Sequence, residues 1–160
     1  MVTKELLHEL FEYFDGELYW KKSLNSRAIK GSVAGSKIIE RYKYIGINGN
    51  KYLLHRIIFF YHYGYFPIEV DHIYCNLSNN RIENLRAATH FENRYNQKMN
   101  IRNTTGVKGL IFDKYRNQWI VRFNINGKAK FFGRFKEFEL ADLVAQEARS
   151  KYHGNFANHG

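Results

Sequence analysis

The fold is decided by one stretch of the chain, residues 70–93, which reads VDHIYCNLSNNRIENLRAATHFEN. Its pattern predicts a strand over 68–73, a polar loop over 76–80, a second short strand over 82–86 and a helix from about 89 to 97. Four polar side chains of this strand–loop–strand–helix unit are candidates for catalysis: Asp71, His72, Asn84 and Asn93.

Hydrolysis of a phosphodiester requires an activated water and neutralisation of the charge that builds on the phosphate. A neutral imidazole such as that of His72 can activate the water, and a divalent metal can neutralise the charge. Hard cations such as Mg²⁺ prefer oxygen ligands. Because neighbouring side chains on a strand point to opposite faces, one of Asp71 and His72 could hold the metal while the other meets the water, if the strand ends or bends there. These residue types permit a nuclease without establishing one, since most Asp-His pairs are surface pairs or capped turns.

The wider stretch, residues 55–96, resembles the HNH homing endonucleases of phages and introns. The resemblance rests on His55-Arg56-Ile57, Val70-Asp71-His72-Ile73, the run from Asn79 to Arg86, and the run from Thr89 to Asn93. The spacing of 12 residues from His72 to Asn84 and of 9 more to Asn93 is similar to that of the family.

The resemblance implies a role for each of the four residues. His72 would be the general base, and Asn84 would brace the loop and so orient that base. Asp71 and Asn93 would be the protein ligands of the metal. The family is named after a final histidine, and Asn93 departs from it; an amide oxygen favours Mg²⁺, or Mn²⁺, over Zn²⁺. Arg86 and Arg94 are candidate phosphate contacts, with a solvated surface arginine as the equal alternative.

The residues before this unit are predicted to complete a nuclease region over 1–98, with its core at about 50–98. Leu6, Leu7, Leu10, Phe11 and Phe14 predict one helix over 3–14. Asn48-Gly49 between two β-rich runs predicts a hairpin over 42–55. An apolar helix over 56–63 follows, in which His55 is interpreted as a packing residue. Residues 1–54 resemble the N-terminal part of phage-borne HNH proteins.

A polar segment over 99–106 is predicted to link this region to a second domain over 107–160. Strands over 107–112, 118–125 and 128–133 and an amphipathic helix over 137–152 predict a three-stranded antiparallel sheet packed on one helix. The expected fold class is therefore α+β, a ββα-metal core followed by this sheet and helix.

Residues 105–157 resemble the APETALA-type DNA-binding domain of plant ethylene-response factors. The resemblance rests on Thr105 to Leu110, Trp119, Phe132 to Phe135, Ala141, Ala145 to Ala148, and His153 to Ala157. In that family the exposed sheet face lies in the major groove, where Arg122 and Asn124 would contact bases. Phosphate contacts are expected from cations at strand ends or turns: Lys114, Arg116, Lys128, Lys130 and Arg134.

Composition supports a nucleic-acid partner. The chain carries a net charge of +10, of which residues 101–160 contribute +6, and positive charge favours polyanions. Its one cysteine excludes an internal disulfide and a cysteine-rich zinc site. No apolar run approaches the ~18 residues of a membrane span, and no signal-peptide core opens the chain. We therefore expect a cytoplasmic protein, inside a host bacterium if it is a phage protein.

The expected activity is metal-dependent cleavage of double-stranded DNA, without a small-molecule cofactor or a membrane partner, by a monomer or a homodimer. One active site per monomer makes a nick easier to explain than a double-strand break. Two alternatives remain open: a catalytically silent DNA-binding regulator and an RNA nuclease. Duplex RNA fits a groove-reading sheet poorly, because its major groove is deep and narrow.

Overall fold

The computed structural model describes residues 2–35, 37–39 and 41–160, with only the main chain described for 37–39. It confirms the α+β class, with small antiparallel sheets and short helices. The chain divides into two compact units, residues 1–89 and residues 90–160. No helix in the described part of the chain is long and apolar enough to cross a membrane.

The first unit begins with α1 (Lys4–Leu10), whose start is capped by the Thr3 side chain accepting a bond from the Leu6 amide. The predicted helix to Phe14 is wrong beyond Leu10, because Phe11–Phe14 forms strand β1 and pairs with β2 (Glu17–Trp20). Asp15-Gly16 closes this hairpin with positive φ at both residues. Such a two-residue turn matches the twist of paired strands, and the pairing prevails over the helical spacing of the apolar residues.

Next come β3 (Val33–Ala34), β4 (Lys37–Ile39), β5 (Tyr42–Ile47), β6 (Asn50–Leu53) and α2 (Leu54–Tyr63). The predicted hairpin at Asn48-Gly49 is confirmed, with φ of 49° and 77° at its two turn residues. Helix α2 ends at Gly64, also in the left-handed region. The core of this unit gathers apolar residues from α1, the hairpins and α2: Leu7, Phe11, Leu18, Ile45, Leu54, Ile57 and Ile58.

The candidate catalytic stretch forms β7 (Glu69–His72) and β8 (Leu85–Ala88), an antiparallel pair in which Asp71 lies opposite Arg86. The predicted second strand began at residue 82, but Ile82–Asn84 is a 3-10 turn, closed by the Asn84 amide donating to the Arg81 carbonyl. The loop therefore extends to Asn84, which places that residue at the entrance of β8 rather than within it.

The second unit contains α3 (His90–Asn96), β9 (Leu110–Asp113), β10 (Gln118–Ile125), β11 (Lys128–Phe135), α4 (Phe138–His153) and a final 3-10 turn (Gly154–Phe156). The sheet order is β11-β10-β9, and the Asn126-Gly127 hairpin is confirmed. Helix α4 covers one sheet face, where Val121 meets Ala141 and Ala145 in a common core. The sheet and its one helix agree with the prediction.

The compact units divide the chain earlier than the predicted linker. Helix α3 and residues 99–106 both fall within the second unit, where Tyr95 of α3 stacks on His153 of α4 with ring centroids 3.8 Å apart. The assignment of a nuclease region to 1–98 and of a DNA-binding domain to 107–160 stays a prediction.

Candidate active site

Strand β7 presents Asp71 and His72 side by side, and each is only 4% exposed. The antiparallel pairing with β8 brings Arg86 to Asp71: its Nε and Nη2 donate to Oδ2 of the carboxylate over 2.8 and 2.7 Å. A buried carboxylate requires such a partner. Arg86, a candidate phosphate contact, thus holds the carboxylate of the candidate metal ligand.

The His72 ring is held by a residue that sequence reasoning did not single out. Its Nε2 lies 3.0 Å from Oδ1 of Asn80, which is itself buried. Burial lowers the pKa of His72 below its ordinary value, so that the imidazole is neutral at neutral pH. A neutral imidazole is the form that a general base requires.

His55, at the start of α2, lies behind His72 with ring centroids 5.0 Å apart. Burial, and then the nearby His72 and Arg56, lower the pKa of His55 to about 3. His55 therefore stays neutral over the physiological range and adds no positive charge beside His72. Its buried position agrees with the packing role interpreted from the sequence.

The Asn84 side chain lies inside the loop between β7 and β8 and bonds to the backbone of that loop at two places. Its Oδ1 accepts from the Tyr74 amide over 3.0 Å, and its Nδ2 donates to the Asn79 carbonyl over 2.7 Å. Only 2% of the residue is exposed. These two bonds join residues from different parts of the loop, and the role of Asn84 in bracing the loop and orienting the base stays a prediction. Asn80 also lies within hydrogen-bond distance of the His72 ring.

Asn93 and Arg94 lie on α3, in the second unit. The role of Asn93 as a metal ligand and that of Arg94 as a phosphate contact stay predictions. Among the residues that the structure describes, no group of three or more His, Cys, Asp or Glu side chains could hold a metal ion. The predicted set is of another kind, one carboxylate and one amide.

Apart from the half-buried Arg86 of the first unit, the candidate DNA-contacting residues are exposed and lie in the second unit. Arg122 and Asn124 alternate with the buried Val121 on β10 and so face away from α4, as predicted. Lys114 and Arg116 lie in the β9–β10 turn, where Arg116 pairs with Asp113 over 3.2 Å. Lys128 begins β11, and Arg134 lies one residue before its end.

The expected position of Lys130 is wrong. It is the third residue of β11 rather than part of a turn. Its Nζ lies 2.8 Å from the Tyr152 hydroxyl and 4.0 Å from the centroid of that ring. The side chain therefore packs against α4, because the two-residue turn pairs Lys130 with Phe123, which lies on the sheet face that α4 covers.

Comparison with known proteins agrees with this geometry. The HNH endonuclease family matches residues 52–95, which include Asp71, His72, Asn84 and Asn93. Protein 3.8 of Escherichia phage T7 is 37% identical over 90 residues, covering 55% of this chain and 72% of that protein. No solved structure is significantly similar. The chain therefore belongs to the same family as phage T7 protein 3.8 and carries an HNH endonuclease domain at residues 52–95.

Proposed function

We propose that the chain is a metal-dependent endonuclease that hydrolyses a phosphodiester of double-stranded DNA, with His72 as the general base. One observation carries the proposal: a buried imidazole, that of His72, lies beside the buried carboxylate of Asp71 on strand β7, within an HNH endonuclease domain. His72 takes a proton from the attacking water, and the cut leaves 5′-phosphate and 3′-hydroxyl ends. Asn84 keeps the loop above His72 in shape.

The residues present fit a hard divalent cation. Asp71 supplies a carboxylate, the kind of oxygen ligand that such ions prefer, and Arg86 holds this carboxylate through Oδ2. Asp71 and Asn93 would hold the ion, together with oxygens of the DNA phosphate. This all-oxygen set suits Mg²⁺ best and Mn²⁺ as well. Such an ion, when bound, neutralises charge on the phosphate and on the departing 3′-oxygen.

The second unit is the proposed DNA-positioning part, an APETALA-type domain at 107–160. Residues 90–160 carry 13 Lys and Arg against six Asp and Glu, whereas residues 1–89 carry 12 against nine. The sheet face opposite α4 presents Arg122 and Asn124, side chains that can pair with guanine and adenine. Phosphates beside these bases would be contacted by four cations, Lys114, Arg116, Lys128 and Arg134. The similarity to a phage protein favours action in the cytoplasm of an infected bacterium.

The alternative is a catalytically silent DNA-binding regulator. The observation that favours it is the Arg86–Asp71 pair, which already neutralises the carboxylate proposed to hold the metal. If the Arg86 guanidinium stayed beside Asp71 during DNA binding, its positive charge would lower the affinity of that carboxylate for a metal ion. The two proposals differ in one measurable property, cleavage that depends on both a metal and His72.

The test is an assay on supercoiled plasmid with the wild type and His72→Ala, in Mg²⁺, in Mn²⁺ and in chelator. We expect metal-dependent open circles or linear DNA from the wild type and at least a 100-fold lower rate from His72→Ala, in line with the loss of a general base. His8→Ala, which changes an exposed histidine of the same unit, is the control and should cut normally. Salt-sensitive binding without cleavage by either protein would favour the regulator.

A further inference from the structure

The tip of the β1–β2 hairpin lies against the end of the loop that carries Asn80. This hairpin is outside residues 52–95, the part that matches the HNH endonuclease family. We propose that the hairpin tip positions Asn80, and that Asn80 in turn fixes the ring proton of His72 on Nε2. The catalytic meaning of this arrangement rests on the proposed function, whereas the arrangement itself does not.

The first step is the bond between Asn80 and His72. Both residues are nine-tenths or more buried, and the atoms that face each other are Oδ1 and Nε2, 3.0 Å apart. An amide oxygen only accepts, so a hydrogen bond at this place requires the proton on Nε2. The Nδ1 atom then carries the lone pair that takes a proton from water. Asn80 is thus a positioning residue, which acts through His72 rather than on DNA.

The second step is the contact between the hairpin tip and residues 80–82. A Cβ on Gly16 would lie 2.8 Å from the Arg81 amide nitrogen and 3.0 Å from the Asn80 carbonyl carbon. No side chain fits in that gap, so the turn lies directly on the backbone of the loop end. The Tyr13 hydroxyl accepts from the Ile82 amide over 3.0 Å.

An ion pair adds to the contact, with Arg81 Nη2 donating to Asp15 Oδ2 over 2.8 Å. Both of its side chains are about half exposed, and exposed pairs contribute little. The positioning therefore depends on Gly16 and Tyr13. The hairpin is itself anchored in the core, since Phe11 of β1 and Leu18 of β2 are fully buried.

The test of the first step is the tautomer of His72 in the full chain, labelled with ¹⁵N at histidine and measured by long-range ¹H–¹⁵N correlation at about pH 8, where ordinary imidazoles are neutral. We expect one Nε2–H tautomer in the wild type. The Nδ1–H tautomer would overturn the proposal, because Asn80 would then present its NH₂ group to the ring.

Two substitutions at one position sharpen this test. Asn80→Ala removes the acceptor and should populate both tautomers, whereas Asn80→Asp keeps an acceptor without a donor and should retain Nε2–H. A single Nε2–H tautomer in Asn80→Ala would show that Asn80 does not fix the proton. In the plasmid assay we expect Asn80→Ala to cut at least tenfold more slowly, part of what a positioned base supplies, and Asn80→Asp to recover the rate.

Gly16→Ala tests the second step, with Gly49→Ala as its matched control. Both glycines lie in two-residue hairpin turns with φ of 85° and 77°, but a Cβ on Gly49 would meet nothing within 4 Å. We expect Gly16→Ala to mix the tautomers of His72 and Gly49→Ala to resemble the wild type. Identical His72 spectra in the two variants would overturn the hairpin's role.

A milder variant covers the case in which Gly16→Ala does not fold. Tyr13→Phe removes only the acceptor of the Ile82 amide, and we expect a faster exchange of that amide together with a second His72 tautomer. An unchanged tautomer would again contradict the hairpin's role. These spectra require no cleavage, so they separate a failure of this inference from a failure of the proposed nuclease, which the His72→Ala assay decides.

Discussion

His55 shows how one buried side chain sets the surroundings of the candidate base. It is 6% exposed, and its pKa is lowered to about 3, first by burial and then by His72 and Arg56. The unfolded chain binds a proton here below about pH 6.5, whereas the folded protein does not until far lower pH. The neutral ring therefore stabilises the fold fully above pH 6.5, and this contribution is lost as the pH falls.

We accordingly expect the free energy of unfolding to fall by about 2–3 kcal/mol between pH 6.5 and 4.5 through His55 alone, at ~1.4 kcal/mol per pH unit. Urea denaturation at both pH values would measure it. His55→Leu should lose less stability than the wild type over the same interval, whatever its stability at pH 6.5. An equal pH dependence in both proteins would mean that His55 ionises normally in the fold.

Asn84 is the side chain whose removal should loosen the loop without touching His72. Asn84→Ala leaves the Tyr74 amide without its acceptor and the Asn79 carbonyl without its donor. With two lost bonds in a buried place, we expect a destabilisation of about 2–3 kcal/mol. Asn76→Ala, in the same loop but exposed, removes the side-chain acceptor of the Ser78 amide and should cost under about 1 kcal/mol. Equal costs in thermal or urea unfolding would contradict the brace.

Asn79 and Asn80, two neighbouring residues of this loop, show what could not be predicted from the sequence. Asp71, His72 and Asn84 could be selected because their types and spacing are typical of a known family. Asn79 and Asn80 have the same chemistry and adjacent places, and only the fold turns Asn80 inward onto His72. No periodicity of the sequence signals that direction. Asn80 was therefore beyond prediction from one sequence.

At the scale of the elements, the hairpin turns could be predicted from local sequence. The choice between helix and strand could not always be predicted in this way. Asn48-Gly49 and Asn126-Gly127 specify hairpins by themselves, because both residue types tolerate positive φ. Phe11 and Phe14 fit the apolar spacing of α1 equally well, yet they belong to β1. Residues 11–14 form a strand because they pair with β2, and this pairing depends on the packing of the sheet rather than on local sequence.

Two glycines just before β9, Gly106 and Gly109, allow a matched comparison of alanine substitutions. Gly109 has φ of 76°, and a Cβ there would lie 2.7 Å from the Phe123 ring and 3.2 Å from the Arg122 carbonyl. Gly106 has φ of 73°, with nothing within 4 Å of its Cβ position. Both alanine variants bear the cost of a left-handed backbone, about 1–2 kcal/mol. Gly109→Ala should cost about 1–3 kcal/mol more through overpacking.

Fluorescence can assign this loss to the second unit. Trp20 lies in the first unit and Trp119 in the second, so a Trp20→Phe background leaves Trp119 as the reporter. We expect the Trp119 transition in urea to move to lower concentration in Gly109→Ala than in Gly106→Ala. Coincident transitions would show that Phe123 moves aside and that the contact does not fix the sheet.

The whole chain distributes its charge unevenly, with net +7 on residues 90–160 and +3 on residues 1–89. The composition predicted this asymmetry, whereas the division of the chain into units did not follow from it. The polar segment 99–106 suggested a boundary, but Asn103 and Thr105 bond to the Val107 carbonyl and so belong to the second unit. Polarity marked a loop there, and the packing of α3 set the limits of the unit.

This asymmetry predicts where the salt dependence of DNA binding arises. Each phosphate contact releases counterions, so the logarithm of the binding constant falls with that of the salt concentration by about 0.9 per contact. Arg134 is exposed on β11 opposite Ile120, on the sheet face that α4 does not cover, whereas Lys151 is exposed on α4. In chelator, with a duplex of mixed sequence, Arg134→Ala should lower the slope by about one and Lys151→Ala should leave it unchanged. Equal slopes for both variants would move the DNA-binding surface away from this sheet face.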